Sequence, residues 1–511
     1  MSLVADLVVT HANILTMDDA RPSATALAVR RGIVERVGSD ADVLPLVGRE
    51  TTVLDLRGKT VVPGFHDCHL HLLWFGLTLT TQVNLVGAGS IDELLARLSA
   101  FAEQTDGWIR GHGFDQDKLL ERRFPTRQEL DRVSTTRPVI VSRVCGHALV
   151  ANSAAIRELS ADEQSQGNVE TGLFTEEAGW TLLRRVPPPD ARARERALLA
   201  AMDAALRSGI TSVQTMLDTP EQMQTYSALK RRLGRLPLRV VVMPPERCAE
   251  TLHAHGIVSG FGDDWLRVGG LKFFADGSLG ARTALLGSPY ADDPSAIGQR
   301  TYEPEALKQR CRAVADMGFQ LVVHAIGDQA LRETLDAIEF ALQGQDNQAP
   351  RHRVEHASLC PPDLMQRMVD RQVVATLQPQ FVTSDTWTGE RIGAARLGWA
   401  YPFRSMIDAG VPCGLGSDCP VEKLDSMQCL SSAVNRHPWS DNDKLTAEQA
   451  LRAYTVGSAY AGDRERVVGK LSDGFRADFV VLSDDPRQVN PSRLASLTVE
   501  RVFVDGEPVR P

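Results

Sequence analysis

Short apolar runs broken by glycine and aspartate mark both ends of the 511-residue chain. They fall at 7–9, 12–15, 24–29 and 33–38 near the N-terminus, and at 477–482 and 499–504 near the C-terminus. Short strands separated by turn residues are typical of a small β-sandwich. Neither end is long enough to build a sandwich alone. We therefore predict that both ends pair into one β-domain, with the middle of the chain inserted between them.

The middle of the chain shows a different sequence pattern, in which short apolar runs alternate with longer amphipathic segments. This alternation indicates repeated βα units and a parallel sheet, hence an α/β fold. Eight runs are predicted strands: 60–65, 210–214, 239–243, 270–274, 320–324, 352–356, 373–377 and 413–418. Eight parallel strands close a (β/α)8 TIM barrel, which is the predicted architecture.

One connection in this pattern is too long for a single helix and loop. The gap between the first and second predicted strands is about 140 residues. Residues from about 75 to 190 are therefore predicted to form an insertion after barrel strand 1, where active-site lids commonly arise. The predicted domains are a β-sandwich made of 1–62 and 465–511, and a barrel of residues 63–464.

Composition narrows the class of protein. The net charge of −9 argues against nucleic-acid binding, which requires clustered lysine and arginine. No apolar run reaches the roughly 18 residues of a membrane helix, and the N-terminal stretch lacks a basic region. Eight scattered cysteines fit reduced thiols in the cytoplasm. We expect a cytoplasmic enzyme with a small-molecule substrate, no nucleic-acid or membrane partner, and a homodimer as a possible assembly.

Ligand-type residues stand on or at the ends of separate predicted strands, at the edge where barrel active sites are built. The first strand leads into His69 and His71, and a two-residue spacing in an extended segment turns both imidazoles to one side. The others are Lys272, His324, His356 and Asp418. Each of these residues, taken alone, could have an ordinary structural role, because strand-end histidines are usually structural and aspartates often cap helices. Their convergence at the same end of the predicted barrel favours a metal site.

Longer motifs resemble the amidohydrolase superfamily over nearly the whole chain. The stretches 62–71 (VPGFHDCHLH) and 416–418 (GSD) match the superfamily. Four further stretches look most like its amidohydrolase-3 branch, which includes YtcJ-like proteins and N-substituted formamide deformylase. They are 146–153 (GHALVANS), 272–284 (KFFADGSLGARTA), 324–328 (HAIGD) and 353–356 (RVEH).

This resemblance implies a binuclear metal centre. His69, His71 and Asp418 would hold the more buried ion, and His324 and His356 a second one. Lys272 would be carboxylated and would bridge the pair, because a carbamate offers two anionic oxygens where an ammonium would repel cations. The ligands suit Zn²⁺, although Mn²⁺, Fe²⁺ or Ni²⁺ would also be accepted.

The implied chemistry is hydrolysis by a metal-activated water, with Asp418 as the catalytic residue that moves the proton. Cys68 lies between the ligands, but strand alternation turns it into the core. The leading substrates are N-acyl or N-formyl amines, cleaved at an amide or other C–N bond. Two alternatives stay open: deamination of a heterocycle, against which the bridging lysine argues, and a catalytically silent binding or regulatory protein, against which the intact ligands argue.

Substrate contacts are expected from the insertion and from loops at the strand ends. In the insertion the candidates are Trp108, Phe114, Asp115, Arg143, His147 and Asn152. Outside it they are Asp276, Arg282 and Gln378, which follow or end other predicted strands. For Trp108 and Phe114, packing within a lid is an equally good explanation.

Overall fold

A computed structural model describes residues 4–116, 118–143, 148–217, 219–343, 351–436 and 443–509. The chain divides into two compact units. The first unit comprises Met1–Leu72 and Met202–Pro511, and the second comprises Leu73–Ala201. His147, one of the predicted substrate contacts, lies outside the described residues.

The strands are numbered along the chain. They are β1 Leu7–Thr10, β2 Asn13–Leu15, β3 Ser23–Ala24, β4 Ala26–Arg30, β5 Ile33–Gly38, β6 Thr52–Asp55, β7 Thr60–Pro63, β8 Phe65–Leu70, β9 Val83–Asn84, β10 Ile109–Phe114, β11 Val139–Arg143 and β12 Ala148–Ala151. They continue with β13 Leu173–Thr175, β14 Ile210–Met216, β15 Arg239–Met243, β16 Leu266–Val268, β17 Leu271–Phe274, β18 Leu321–Ala325, β19 Arg353–His356, β20 Val374–Leu377, β21 Cys413–Leu415, β22 Phe479–Leu482, β23 Val499–Val504 and β24 Glu507–Pro508.

Helices connect most of these strands. They span Asp40–Val43, Leu72–Thr81, Ile91–Ala102, Arg127–Asp131, Ser153–Ile156, Ala161–Ser165, Glu176–Leu183, Ala191–Arg207, Pro220–Leu233, Ala249–Ala254, Pro304–Asp316, Asp328–Leu342, Pro362–Asp370, Pro379–Ser384, Thr388–Ile392, Phe403–Ala409, Ser426–Asn435, Ala447–Arg452 and Ser458–Ala461. Within the described part of the chain, none of them has the length and apolar character needed to cross a membrane.

Two parallel sheets form the α/β part of the first unit. One has the strand order β16-β15-β14-β8 and the other the order β17-β18-β19-β20-β21. Helices link successive strands, as parallel pairing requires. Main-chain hydrogen bonds also join the margins of the two sheets. The N–H of Lys272 in β17 donates to the carbonyl of Pro244 after β15 (2.8 Å), and the N–H of Asp418 after β21 donates to the carbonyl of His69 in β8 (2.7 Å).

The two chain ends share one sheet in the first unit. Its order is β24-β23-β22-β7-β2-β3, and β22 pairs antiparallel with β7. A second sheet, β5-β4-β1-β6, packs against it. Buried side chains from both sheets form one apolar cluster, in which the rings of Phe479 and Phe503 stack with centroids 4.3 Å apart.

The limits of the first predicted barrel strand are wrong. The run 60–65 divides in the structure, because β7 belongs to the terminal sheet whereas β8, in the parallel sheet, begins at Phe65. Gly64 lies between them, and its N–H donates to the carbonyl of Asp478 (2.9 Å). A Cβ atom at Gly64 would overlap the side chain of Thr211. Both strands are buried, so the apolar pattern alone does not reveal where the chain changes sheets.

The second unit has its own sheet and core. Its strand order is β13-β12-β11-β10-β9, with β9, β10 and β11 parallel and the other two antiparallel. The helix Ile91–Ala102 begins at a Ser90 cap and packs its apolar side on the sheet, burying Leu94 and Leu98 in the core. This unit includes the segment from about 75 to 190 that the sequence predicts as an insertion.

Candidate metal centre

Two segments of the first unit bring three predicted ligands together. His69 lies near the end of β8 and His71 directly after it, so both point to the same side of an extended segment. Asp418 follows β21. Two main-chain hydrogen bonds join these segments, one from Asp418 to His69 (2.7 Å) and one from His71 to Cys419 (2.8 Å).

The ligand atoms of these three residues converge on one point. The Nε2 atoms of His69 and His71 lie 3.3 Å and 3.4 Å from Oδ1 of Asp418. All three ligand atoms lie within 4.8 Å of one another. Among the residues that the structure describes, no other group of three or more histidine, cysteine, aspartate or glutamate side chains comes this close.

The hydrogen bonding of these residues fits a bound cation. Oδ1 of Asp418 is buried, and in the described part of the chain no donor reaches it with hydrogen-bond geometry. A buried carboxylate oxygen without a donor is unfavourable unless a cation neutralises it. Two imidazole nitrogens and one carboxylate oxygen are ligands that Zn²⁺ accepts. The residues present therefore suit the metal that the sequence predicts.

The two histidines predicted for a second ion lie beside this cluster. The ring centroids of His69 and His356 are 4.9 Å apart, and those of His356 and His324 are 4.5 Å apart. Nδ1 of His356 donates to Oε1 of Gln378 (2.8 Å), and Nε2 of His324 donates to the carbonyl of Gly277 (2.9 Å). Each ring thus keeps its other nitrogen as a lone pair, which a metal ligand needs.

Burial and charge keep these two imidazoles neutral. Burial lowers the pKa of His324 to about 3, with the Lys272 cation acting in the same direction. Burial and the neighbouring His324 hold the pKa of His356 well below its ordinary value. Neutral imidazole is the form that binds metals.

The first cluster behaves differently, because carboxylates surround it. Burial opposes a charge on Asp418, yet His69 holds the pKa of this carboxyl well below its usual range. Burial and Lys272 oppose a charge on His69 as well, but Asp418 and Glu355 raise the pKa of the imidazole above its ordinary value. A cation that binds here therefore competes with a proton.

Lys272 lies in β17 among the same residues. Its side chain is buried, its charge acts on the imidazoles of His69 and His324, and its Nζ lies 4.8 Å from the ring centroid of Phe274. The ring of Phe274 is also 5.3 Å from that of His324. The placement brings Lys272 to the cluster, and its carboxylation stays a prediction.

The backbone is unusual at two predicted ligands. His356 has φ 73° and Asp418 has φ 56°, both in the left-handed region that non-glycine residues seldom adopt. Such conformations concentrate at functional sites, where the surrounding structure holds them in place. His356 is the last residue of β19, and Asp418 lies three residues after the end of β21. Both are therefore at the edge of the parallel sheet where barrel sites lie.

Sequence reasoning missed a buried ion pair behind the cluster. Nδ1 of His69 donates to Oε2 of Glu355, and Glu355 forms a two-pronged ion pair with Arg353. Both charged side chains are fully buried. The available signal was alternation, because Arg353 and Glu355 are two residues apart on β19 and so project to the same side.

The three predicted substrate contacts of the first unit have protein partners. Asp276 is buried and accepts main-chain hydrogen bonds from Leu285 (2.9 Å), Ile326 (3.0 Å) and Gly327 (2.8 Å). Gln378 holds His356, as described above, and Arg282 pairs with Asp292 (2.8 Å). Gln378 thus supports a predicted ligand directly. Direct substrate contact by Asp276, Arg282 and Gln378 stays a prediction.

The predicted contacts in the second unit are partly structural. Asn152 caps the helix Ser153–Ile156, and its amide makes four main-chain hydrogen bonds, to Ser134, Arg137, Val139 and Ala155. These bonds use the full donor capacity of the amide. Phe114 is fully buried and packs edge-on against Phe124. Both residues therefore have a structural role, and their contact with substrate stays a prediction.

The remaining candidates of the second unit are more accessible. Trp108 packs against one of its apolar clusters and is partly exposed. Arg143 donates to Gln116 (2.7 Å) and forms an ion pair with Asp115 (3.3 Å). Their role in substrate binding stays a prediction.

Comparisons with known proteins show which family this chain resembles. Residues 52–510 match the amidohydrolase family. The chain is 30% identical to YtcJ of Bacillus subtilis (strain 168) over 522 residues, which cover 97% of each protein. It is 28% identical to an N-substituted formamide deformylase of Arthrobacter pascens, with 99% of this chain and 98% of that protein covered. A solved structure of an uncharacterized metal-dependent hydrolase from Pyrococcus furiosus superimposes with a TM-score of 0.83 at 31% identity, over 94% of this chain and 100% of that one.

Proposed function

Because this chain belongs to the amidohydrolase family, we propose that it is a metal-dependent hydrolase of an amide or another C–N bond in a small molecule. The convergence of His69, His71 and Asp418 carries this proposal. Two relatives, an N-substituted formamide deformylase and an uncharacterized metal-dependent hydrolase, support it. The proposed substrates are N-acyl or N-formyl amines.

The proposed cofactor is Zn²⁺, with a first ion held by His69, His71 and Asp418. A second ion would be held by His324 and His356, with carboxylated Lys272 between the two. The hydrogen bonds that leave one ring nitrogen of His324 and of His356 as a lone pair, and the buried position of Lys272, support this arrangement. The proposed setting is a closed (β/α)8 barrel, which the hydrogen bonds across both margins of the two parallel sheets support.

In this proposal the protein residues position the reactants and move the proton. When bound, a divalent cation supplies Lewis acidity and makes water a nucleophile near neutral pH. The carboxylate of Asp418 would take the proton of the attacking water and deliver it to the leaving nitrogen. Its low pKa keeps it ionised near neutral pH. His69 and His71 would hold the first ion within reach of the Asp418 carboxylate.

A heterocycle deaminase is the second candidate. The observation in its favour is that three close protein ligands form one cluster, as a site for a single ion requires. A catalytically silent binding protein is the least favoured alternative, since it has no need of ligand-type residues at all six predicted positions.

A metal analysis followed by a substrate panel tests the proposal. The purified protein, prepared without chelators, is expected to contain stoichiometric transition metal and to release amines from N-formyl or N-acyl compounds. The Asp418→Asn variant is the matched control and should be inactive on the same panel. Ammonia release from heterocyclic amines alone would favour the deaminase. Absence of stoichiometric metal would contradict both enzymatic proposals.

A further inference from the structure

Behind the candidate metal cluster, a charged pair occupies the interior of the parallel-sheet region. Arg353 and Glu355 of β19 are both 0% exposed. The interior of a barrel is ordinarily filled by branched apolar side chains. A buried ion pair seldom adds stability over an apolar pair of the same volume, because desolvation offsets the Coulomb attraction. The presence of this pair therefore calls for a role other than stability.

Arg353 is held from several directions. Its Nε donates to Oε1 of Glu355 (2.6 Å), and its Nη2 donates to Oε2 of Glu355 (3.0 Å). The same Nη2 donates to the carbonyl of Cys68 (2.7 Å), the residue before His69. Its Nη1 donates to Oε1 of Gln214 in β14. One guanidinium thus holds both the carboxylate of Glu355 and the strand that carries His69.

Glu355 directs this support onto the imidazole of His69. A carboxylate only accepts hydrogen bonds, so Nδ1 of His69 carries the proton in their contact. In the neutral ring, Nε2 then keeps its lone pair, and it is Nε2 that faces Oδ1 of Asp418. The contact therefore fixes both the tautomer and the orientation of the ring.

The support is stronger for His69 than for His324 and His356. His356 donates to the amide of Gln378 and His324 to a main-chain carbonyl, both of which are neutral. His69 donates to an anion, and charge-assisted hydrogen bonds are roughly twice as strong as neutral ones. A carboxylate acceptor also makes the imidazole a better electron donor to a cation.

We propose that Glu355, held in place by Arg353, is the positioning residue that presents Nε2 of His69 to the first metal ion. This role rests on the proposed metal centre. It predicts that loss of the Glu355 carboxylate weakens metal binding, although Glu355 is not itself a predicted ligand.

Zinc affinity of the full-length protein tests the proposal without any substrate. Dissociation constants are measured by competition with a chromophoric chelator, and the absorption spectrum of the cobalt-loaded protein reports ligand geometry. We expect Glu355→Gln to bind zinc about 10–100-fold more weakly than the wild type and to change the cobalt spectrum. Glu355→Asp should show a smaller loss, because the shorter carboxylate stays paired with Arg353 but is drawn back from His69.

A second buried ion pair provides the matched control. Arg239 and Asp478 are 3% and 4% exposed and form a two-pronged pair of 2.6 Å and 3.0 Å, but this carboxylate contacts no predicted ligand. Asp478→Asn should keep wild-type zinc affinity and the cobalt spectrum, whatever its effect on stability. An equal loss of affinity in Asp478→Asn would show general destabilisation and would overturn the proposal.

The remaining outcomes are also decisive. Wild-type zinc affinity in Glu355→Gln refutes the positioning role. If Glu355→Gln does not fold, Glu355→Asp decides in its place, since it retains the charge that Arg353 needs, and an unchanged affinity and spectrum refute the role. Failure of the proposed function looks different, because then the wild-type protein itself binds no zinc and His71→Ala changes nothing.

Discussion

The carbonyl of His69 accepts a 2.7 Å hydrogen bond from the N–H of Asp418. Two segments that lie far apart in the chain are thereby joined through their backbones and not only through their side chains. Because this bond does not involve a side chain, removal of one ligand should leave the two segments in place. Substitutions at this centre should therefore separate metal binding from folding.

The first prediction concerns His71. His71→Ala is expected to lose the first ion and all measurable hydrolysis, while the unfolding midpoint of the chelator-treated protein stays at the wild-type value. Elemental analysis after dialysis and urea unfolding measure the two effects. His253→Ala, an exposed histidine on the helix Ala249–Ala254, is the control and should retain full metal content. Full occupancy in His71→Ala would contradict the ligand assignment.

The second prediction concerns Lys272. If its carboxylated amine bridges two ions, Lys272→Ala should bind one ion per chain where the wild type binds two, with a large loss of activity. Metal content per chain is the measurement. Lys230→Ala, which removes a lysine that pairs with Asp263 in the same unit, is the control. Two ions and full activity in Lys272→Ala would remove the bridging role.

The third prediction concerns acid stability. Burial opposes the charge of Asp264, but Arg464 and Arg476 lower its pKa to about 2. A carboxyl whose pKa falls on folding stabilises the folded protein at any pH above 3.8, its pKa in the unfolded chain. This contribution is lost as the pH falls from 3.8 towards 2. Asp264→Asn should thus reduce the unfolding free energy by about 1–2 kcal/mol at pH 7.

Urea unfolding at several pH values checks this expectation. The difference between Asp264→Asn and the wild type should be constant from pH 7 to pH 5 and should shrink below pH 4. The exposed Asp106 provides a control, and Asp106→Asn should change the unfolding free energy little at any pH. A difference that persists undiminished at the lowest pH where the protein folds would contradict the ion-pair explanation.

The fourth prediction concerns Gly64, the residue between β7 and β8. A methyl group there would overlap Thr211, so Gly64→Ala should displace β8 from β14 and weaken both folding and zinc binding. The double variant Gly64→Ala/Thr211→Ala should recover part of the loss, because it removes the overlapping atoms. Gly398→Ala is the control, since nothing lies within 4 Å of a Cβ atom there. Wild-type stability and zinc affinity in Gly64→Ala would contradict the close packing.

Residue types at strand ends made part of the site predictable. His69, His71 and Asp418 stand out because imidazoles and a carboxylate are unusual beside apolar strands. The family resemblance is confirmed by the match over residues 52–510. Strand positions in the two parallel sheets followed from the apolar runs, with two exceptions. No predicted run covers β16, and no polar residue marks the change of sheet where β7 continues into β8 through Gly64.

The support behind the ligands was not predictable. Glu355 acts on His69, but these residues come from β19 and β8, which belong to different sheets. The role of a charged residue inside a buried strand can be inferred only when the residues that it contacts on other strands are known. The same limit applies to Asp276, whose carboxylate binds three main-chain N–H groups that only the folded loops bring together.

The sheet shared by the two chain ends has a consequence for biosynthesis. The strands β7 and β8 leave the ribosome early, and β8 carries the first ligand, His69. The strand that pairs with β7, β22, is made only after the entire α/β part. At roughly 5–20 residues per second this interval is on the order of 20–80 s. During that time β7 lacks its antiparallel neighbour, and the N–H of Gly64, directly before β8, lacks its acceptor on Asp478. Nascent chains should therefore acquire metal late.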